Sequence, residues 1–309
     1  MPSTTLTRRT FHLAGLAVPA LEAAGAGDGP SLTVLAGVHG CEYASIAGLR
    51  TWAASLAGRE LRGRVLAVPV LNLPAFWARS PFVVPEDGKN LNRCFPGDPS
   101  GTLADRLAHD TFTQVIQGSD ALVDMHAGDM VEALEPFTLY DAGPAEARAR
   151  ELASAYGARY VIRQEAGPDR AVAGTTSAAA AGIGIAAIIA EAGGCGLVER
   201  AAVAAHVRGM NRVLAALGMS ADPDAGRDVP PPAYLRRFLW LRCRDSGWWE
   251  PCVAVGDEVT EGQVIGTVSS IDGTRAGETI SAPADGVLMF MTSSPAVTAD
   301  GLLLGLGAR

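Results

Sequence analysis

The chain has 309 residues, of which 48% are hydrophobic and 19% charged, a composition typical of a folded globular protein and not of a disordered one. Its net charge of −8 and pI near 5.2 exclude the basic surface that nucleic acid or anionic lipid would require, so small molecules or peptides are the expected partners. No apolar run approaches the roughly 18 to 20 residues of a membrane span, which predicts a protein without membrane contact.

The N-terminal segment admits two interpretations. Its stretch "TRRTFHLAGLAVPALEA" has the arginine pair and apolar run of a twin-arginine export signal. His12, Pro19 and Glu22 interrupt that run, and a Gly-rich turn at 25–30 separates it from the next one, which favours consecutive strands. The five cysteines are scattered, odd in number and without a C-x-x-C pair, a pattern that indicates a reducing compartment. We therefore expect a cytoplasmic protein.

Short apolar runs alternate with helical patterns over the first 220 residues. The runs predict strands buried on both faces, and the segments between them predict helices. The predicted strands are 31–37, 64–70, 121–126, 158–162 and 184–191, and the predicted helices are 43–57, 102–117, 145–156 and 197–217. This alternation predicts an α/β domain over residues 1–222, with helices covering both faces of its sheet.

The composition of the sequence changes after that domain. A Pro- and Asp-rich stretch predicts a linker over residues 223–232. Beyond it, glycines punctuate short runs such as "GQVIGTVSS" and "APADGVLMF", which predicts a small all-β domain over 233–309.

Conspicuous polar residues fall where the predicted strands end. His39 and Glu42 follow the first strand, Asn72 follows the second, His126 ends the third and Glu191 ends the fifth. Ligands of α/β sheets collect at the carboxyl ends of strands, so this edge is the candidate functional site.

His39, Glu42 and His126 form a donor set that suits a catalytic zinc ion, which usually takes three protein ligands. Asp124 lies two residues before His126, on the same face of the strand, and is a candidate to orient one of the ligands. The alternative keeps each residue structural, with Glu42 favoured by the dipole of a helix start and His126 capping a strand.

Two further segments carry candidate functional residues. The loop from Asn72 to about Ser100 contains "GKNLNRCFPG", in which Asn92 and Arg93 have the amide and planar guanidinium suited to clamping a carboxylate. Glu191 ends a buried strand, where desolvation would raise its pKa towards the range useful for proton transfer. In the structural alternative, Asn92 closes a turn, Arg93 makes an exposed salt bridge, and Glu191 is a carboxylate at the start of a helix.

The motifs "GVHGCE", "NLNRCFPG", "DMHAGD" and "EAGG", in this order and spacing, resemble the succinylglutamate desuccinylase/aspartoacylase family. The resemblance spans about residues 30–300 and implies a zinc-carboxypeptidase-like mixed sheet flanked by helices, plus a barrel-sandwich-like β domain. It implies one Zn²⁺ per chain on the His–Glu–His set, Glu191 as catalytic base and acid, and Asn92 with Arg93 on the substrate carboxylate. The β domain has no lysine to carry biotin or lipoate, so we expect it to frame the substrate.

The sequence departs from the family pattern in two places. Pro81 stands where members often have an arginine that stabilises the oxyanion, and we expect Arg79 to substitute for it. A second arginine is replaced around Thr176 and Ser177, which weakens the case for an acidic acyl group and fits an uncharged one such as acetyl.

The preferred hypothesis is a cytoplasmic zinc-dependent amidohydrolase that removes the acyl group of an N-acyl amino acid, a linear amide other than a peptide bond. A metallocarboxypeptidase acting on short peptides would use the same ligands and base. A carrier-like binding protein with a vestigial metal site is the remaining alternative. The sequence leaves the oligomeric state open, a homo-oligomer included.

Overall fold

The computed structural model describes residues 4–165, 173–220, 229–275 and 277–309. Its helices in these ranges are α1 (Tyr43–Ala54), α2 (Leu73–Ala78), α3 (Leu103–Thr111), α4 (Glu146–Tyr156), α5 (Thr176–Gly182) and α6 (Arg200–Ala216), with a 3-10 turn at Leu91–Arg93 and a π-helical turn at Phe112–Ile116. Its strands are β1 (Thr5–Leu13), β2 (Leu16–Ala24), β3 (Gly27–Ala36), β4 (Arg62–Val68), β5 (Ala121–His126), β6 (Glu132–Leu134), β7 (Phe137–Asp141), β8 (Tyr160–Gln164), β9 (Ala186–Glu191), β10 (Ala233–Leu235), β11 (Arg237–Arg242), β12 (Gly247–Pro251), β13 (Glu258–Val259), β14 (Val264–Ser269), β15 (Glu278–Ser281), β16 (Gly286–Thr292), β17 (Ala296–Val297) and β18 (Leu302–Ala308).

A mixed sheet of nine strands forms the centre of the molecule, in the order β1-β2-β4-β3-β5-β9-β7-β8-β10. The neighbours β4, β3, β5 and β9 run parallel, whereas β7 is antiparallel to β9 and β2 to β4. Five of these strands correspond to the predicted ones, and the predicted α/β class is confirmed. The short strand β7 was not predicted. The N-terminal run forms the hairpin β1–β2, as the strand interpretation expected.

Helices cover both faces of the sheet, as predicted. On one face Trp52 of α1, Leu152 of α4 and Met210 of α6 pack into a common core with β3, β4 and β5. On the other face Leu107 of α3 and Ala180 of α5 pack against the opposite side chains of the same strands. Burial on both sides explains why these strands are continuous apolar runs without polar alternation.

The C-terminal strands form two smaller sheets, β11-β18-β16-β13 and β15-β14-β12-β17. Between them lies a core that includes Trp249, Ile265 and Leu304. The first small sheet also packs on the large one, through a cluster in which Val287 and Met289 contact side chains of β7, β8 and β9.

Each part of the chain contributes a strand to the other. Along the chain, strand β6 lies between β5 and β7 of the large sheet, yet it pairs with β16 of the small sheet. Strand β10 follows the predicted linker, yet it pairs with β8 of the large sheet. The division into 1–222 and 233–309 therefore stays a prediction, and residues 223–228 of the predicted linker lie outside the described residues.

Two local expectations differ from the structure. The Gly-rich turn predicted at 25–30 is shorter, because β3 begins at Gly27 and pairs with β4 across a bulge. The helix predicted at 102–117 is α-helical to Thr111 and then continues as the π-helical turn. No helix in the described ranges is long and apolar enough to cross a membrane.

Candidate active site

The predicted metal ligands meet at one edge of the large sheet. His39 follows the end of β3, Glu42 is the residue just before α1, and His126 is the last residue of β5. Because β3, β5 and β9 are parallel neighbours, their carboxyl ends lie side by side. The same register sets His126 opposite Glu191 at the end of β9.

His39, Glu42 and His126 converge closely enough to hold one metal ion. Their potential ligand atoms all lie within 4.8 Å of one another. Nδ1 of His39 is 2.6 Å from Oε1 of Glu42, and Nδ1 of His126 is 2.8 Å from Oε2. All three residues are at least nine-tenths buried, with exposed fractions of 8%, 3% and 2%.

The outer nitrogen of each histidine faces an oxygen. Nε2 of His126 lies 3.0 Å from Oδ2 of Asp124, and Nε2 of His39 lies 2.9 Å from Oδ1 of Asn90. With the ring proton on Nε2, each Nδ1 lone pair points at a carboxylate oxygen. A metal cation held by the Glu42 carboxylate and both rings would satisfy these lone pairs. Two imidazoles and one carboxylate with this outer support suit Zn²⁺, so the residues present fit the metal that the sequence predicted.

Asp124 is fully buried and held from a second side. Its Oδ2 also accepts a hydrogen bond from the Thr176 hydroxyl at 2.5 Å, while Oδ1 has no partner among the described residues. Thr176 therefore acts on the same carboxylate that faces His126. Neither this contact nor that of Asn90 was predicted from the sequence.

The ionisation of the carboxyl groups here is strongly perturbed. Burial favours the neutral form of Glu42, but the adjacent His126 and His39 outweigh it and lower its pKa well below the usual range. Burial raises the pKa of Glu191 to about 8, against the opposing effect of His126. Two carboxyl groups at one sheet edge are thus driven in opposite directions, as in sites that separate ligand and proton-transfer roles.

A cavity of about 520 Å³ opens over this edge and brings together most of the predicted site residues: His39, Glu42, Asn92, Arg93, His126 and Glu191. The Arg93 side chain is solvent-exposed in the cavity, and one guanidinium nitrogen donates to the Asn92 carbonyl at 2.7 Å. Asn92 is buried, with Oδ1 accepting from Thr176 N at 3.0 Å and Nδ2 3.2 Å from His126 Nε2. Asn92 is therefore engaged with the protein, whereas Arg93 is available to a ligand.

Arg79 lies elsewhere. It follows α2 in a left-handed conformation, with φ of 54°, and lines a separate surface groove of about 1230 Å³ between the β1–β2 hairpin, α1 and α2. Phe82, one residue beyond Pro81, lines the cavity instead and packs edge-on against the His39 ring. Asn72 is also structural, since its side chain caps α2 and donates to Val38 O. The larger groove contains none of the predicted ligands.

The C-terminal sheet supplies one wall of the cavity, which agrees with the framing role expected of the β domain, although the residues of this wall were not predicted. Phe238, Trp240 and Arg242 alternate along β11 and line the cavity together with Phe290 of β16. The rings of Phe238 and Phe290 are stacked with centroids 6.0 Å apart, and Trp240 lies 5.1 Å from Phe290.

Glu132, at the start of β6, also lines the cavity and was not singled out in the sequence. Burial, and then repulsion by Glu42, raises the pKa of its carboxyl to about 7. Like Glu191, it is an acidic group directed into the space beside the candidate metal centre.

Comparisons with known proteins agree with the motifs. Residues 28–217 match the model of the succinylglutamate desuccinylase/aspartoacylase catalytic domain. Over 262 residues the chain is 34% identical to N-alpha-acetyl-L-2,4-diaminobutyric acid deacetylase of Halomonas elongata, covering 81% of this chain and 73% of that protein.

Solved structures share the whole fold. A product-bound structure of the ectoine utilization protein EutE (DoeB) from Ruegeria pomeroyi aligns over 100% of this chain and 97% of its own, with a TM-score of 0.86 and 22% identity. A succinylglutamate desuccinylase/aspartoacylase from Rhodobacter sphaeroides aligns over 100% and 96%, with a TM-score of 0.85 and 25% identity. With a family model that matches more than half of its length, the chain belongs to the succinylglutamate desuccinylase/aspartoacylase family.

Proposed function

We propose that this protein is a zinc-dependent deacylase that hydrolyses the amide bond of an N-acyl amino acid. The observation that carries the proposal is the convergence of both histidine Nδ1 atoms on the Glu42 carboxylate, beside a cavity that also contains Glu191 and Arg93. His39, Glu42 and His126 would hold the ion. When bound, zinc acidifies water and polarises an acyl carbonyl.

Glu191 moves the proton in this mechanism. It lies at the end of β9, opposite His126, and no ion pair or hydrogen bond with another described residue engages its carboxyl group. A carboxyl group with a pKa near 8 exchanges protons readily close to neutral pH. Glu191 takes the proton of the attacking water and returns it to the leaving amine.

Arg93 binds the carboxylate of the amino acid. Apart from its bond to Asn92 O, the guanidinium has no hydrogen bond or ion pair with a described residue, so its remaining donors serve the planar pairing that carboxylates favour. Asn92 lines the cavity beside Arg93, where it can assist in binding the carboxylate, and its bond to Thr176 N holds the turn that carries the guanidinium.

The acyl group that we propose is small and uncharged. Family members often have arginines at two places that in this chain are occupied by Pro81 and, around Thr176 and Ser177, by hydroxyl residues bonded to Asp124 and Asp141. The related Halomonas enzyme is named for removal of an acetyl group, which supports acetyl as the first acyl group to test. Its activity also favours the deacylase over the carboxypeptidase and over a binding protein with a vestigial metal site.

A deacylation screen tests the proposal. N-acetyl, N-formyl and N-succinyl amino acids are incubated with the zinc-loaded protein, and free amine is measured. Release from one or more N-acyl amino acids, but not from C-terminally free peptides, is the expected result. Peptide trimming without deacylation would support the carboxypeptidase instead. A cytoplasmic location and a possible homo-oligomer remain predictions, to be tested by fractionation and by light scattering.

A further inference from the structure

The proposed reaction assigns no role to Glu132. This residue lines the same cavity as the candidate metal centre, next to the space that the substrate would occupy. Oε2 accepts a long hydrogen bond of 3.3 Å from Asp129 N. Oε1 has no hydrogen bond, and no cationic side chain lies within ion-pair distance of the carboxylate, among the residues that the structure describes.

The backbone of Glu132 is fixed by tight packing. Its carbonyl accepts from Cys195 N at 2.7 Å. A side chain at Gly128 or Gly194 would bring a Cβ atom within 2.3 Å or 2.5 Å of that carbonyl oxygen, so both positions require glycine. On its other side β6 pairs with β16, with Glu132 opposite Thr292. The carboxyl group therefore starts from a rigid position and not from a loose loop.

The charged residues around the cavity differ in whether they already have a partner. Arg93 and Arg242 are both cationic, they repel each other, and Arg242 donates to Asp300 O at 2.7 Å. Glu132 and Arg93 attract each other, but their charged atoms are farther apart than 4.0 Å. In the proposed function Arg93 binds the carboxylate of the substrate and Glu191 transfers the proton, so neither is assigned to Glu132. Glu132 has no cationic partner among the described residues, and a cationic group of the ligand beside it would pair with its carboxylate and favour the charged form.

We propose that Glu132 binds a cationic group on the side chain of the substrate, so that the enzyme selects N-acyl derivatives of diamino acids. This inference rests on the proposed function and specifies its substrate class. The scissile amide then lies at the metal centre, the α-carboxylate at Arg93, and the side-chain ammonium at Glu132.

A pair of isosteric substrates tests the inference. Nα-acetyl-L-2,4-diaminobutyrate and N-acetyl-L-norvaline have side chains of the same length and shape, but only the first ends in an ammonium group. We expect kcat/KM for the diamino substrate to exceed that for norvaline by about tenfold to one hundredfold, the range for a charged hydrogen bond. Equal efficiencies would overturn the inference and leave the deacylase function intact. Hydrolysis of no N-acyl amino acid would overturn the proposed function, and this inference with it.

Two variants assign the discrimination to one residue. Glu132→Gln keeps the shape of the side chain and should abolish the preference, chiefly through KM for the diamino substrate. Glu135→Gln is the matched control, since Glu135 lies three residues away and outside the cavity lining, and it should retain the preference.

A different result for Glu132→Gln would be decisive. An equal fall in kcat for both substrates would assign Glu132 to the chemistry or to Arg93, and would overturn the inference. Calorimetry gives a readout independent of turnover: L-2,4-diaminobutyrate should bind the unmodified protein more tightly than L-norvaline, and the two should bind Glu132→Gln equally. Equal binding to the unmodified protein would also contradict the assignment.

Discussion

Replacing Asp124 by Asn should weaken zinc binding without unfolding the protein. In the structure Oδ2 of Asp124 lies 3.0 Å from His126 Nε2 and accepts from the Thr176 hydroxyl, and no part of the side chain is exposed. An amide oxygen can still accept both bonds, but without the charge that makes the imidazole a better ligand. The difference between a charged and a neutral hydrogen bond is about 1 to 2 kcal/mol, and loss of such a partner typically costs 10- to 100-fold in metal affinity.

The assay is competition for zinc against a chelator of known affinity, with far-UV circular dichroism as the check of folding. Thr176→Val is the matched control. It removes the neutral hydroxyl that bonds Asp124 and leaves the carboxylate, so its effect on zinc affinity should be no more than several-fold. Unchanged zinc affinity in Asp124→Asn would refute the idea that this carboxylate supports a ligand, and an effect of Thr176→Val as large as that of Asp124→Asn would assign the loss to packing.

Further predictions concern individual site residues. His126→Ala should lose most of the one zinc ion expected per chain, as measured by elemental analysis; an undiminished zinc content would contradict its role as a ligand. Glu191→Gln should retain zinc and substrate binding while kcat falls by about 10² or more, and near-normal turnover would move the base to another residue. Replacing the substrate carboxylate by a primary amide should lower kcat/KM by the factor that corresponds to about 2 kcal/mol, a modest loss because Arg93 is accessible to water in the cavity. This penalty should vanish in Arg93→Ala. Arg79→Ala should leave kcat unchanged, because Arg79 lines the separate groove; a fall in kcat at constant KM would restore the oxyanion role that the sequence suggested.

The candidate metal centre was accessible from sequence because its members are fixed by local structure. His39, Glu42, His126 and Glu191 each lie within a few residues of the end of a buried strand. Buried strands are recognisable as apolar runs, and parallel neighbours bring their carboxyl ends to a common edge. Proximity in space therefore follows from each residue's own position along a strand, without knowledge of the loops between them.

Arg79 shows what such local reasoning leaves open. Its separation of two residues from Pro81 suggested that it could reach the same space. However, the backbone at Arg79 is left-handed and turns the chain directly after α2, so side chains before and after this turn point to different surfaces. Arg79 lines the groove, and Phe82, three residues further along the chain, lines the cavity.

The residues that frame the substrate space were beyond sequence reasoning for a different physical reason. The alternation "RFLWLR" in β11 predicts that Phe238, Trp240 and Arg242 share one face, but it does not say which surface that face covers. That is decided by the packing of the small sheet on β7, β8 and β9. Glu132 is set in the same way, because β6 leaves the large sheet to pair with β16.

The site residues thus depend on two levels of the fold: the strands of the large sheet, and the packing of the small sheet on the large one. The His–Glu–His set and Glu191 depend on three parallel strands of the large sheet, which are held by its own core. Glu132, Arg242 and the aromatic wall depend on the contact between the sheets. Under the proposed function, changes in the C-terminal strands would alter which amino acid is accepted while the candidate metal centre is preserved. This would be a physical route by which one family acts on several N-acyl amino acids. Backbone pairing of β6 with β16 and of β10 with β8 joins the two levels, so the wall of the cavity is tied directly to the sheet that carries the candidate metal centre.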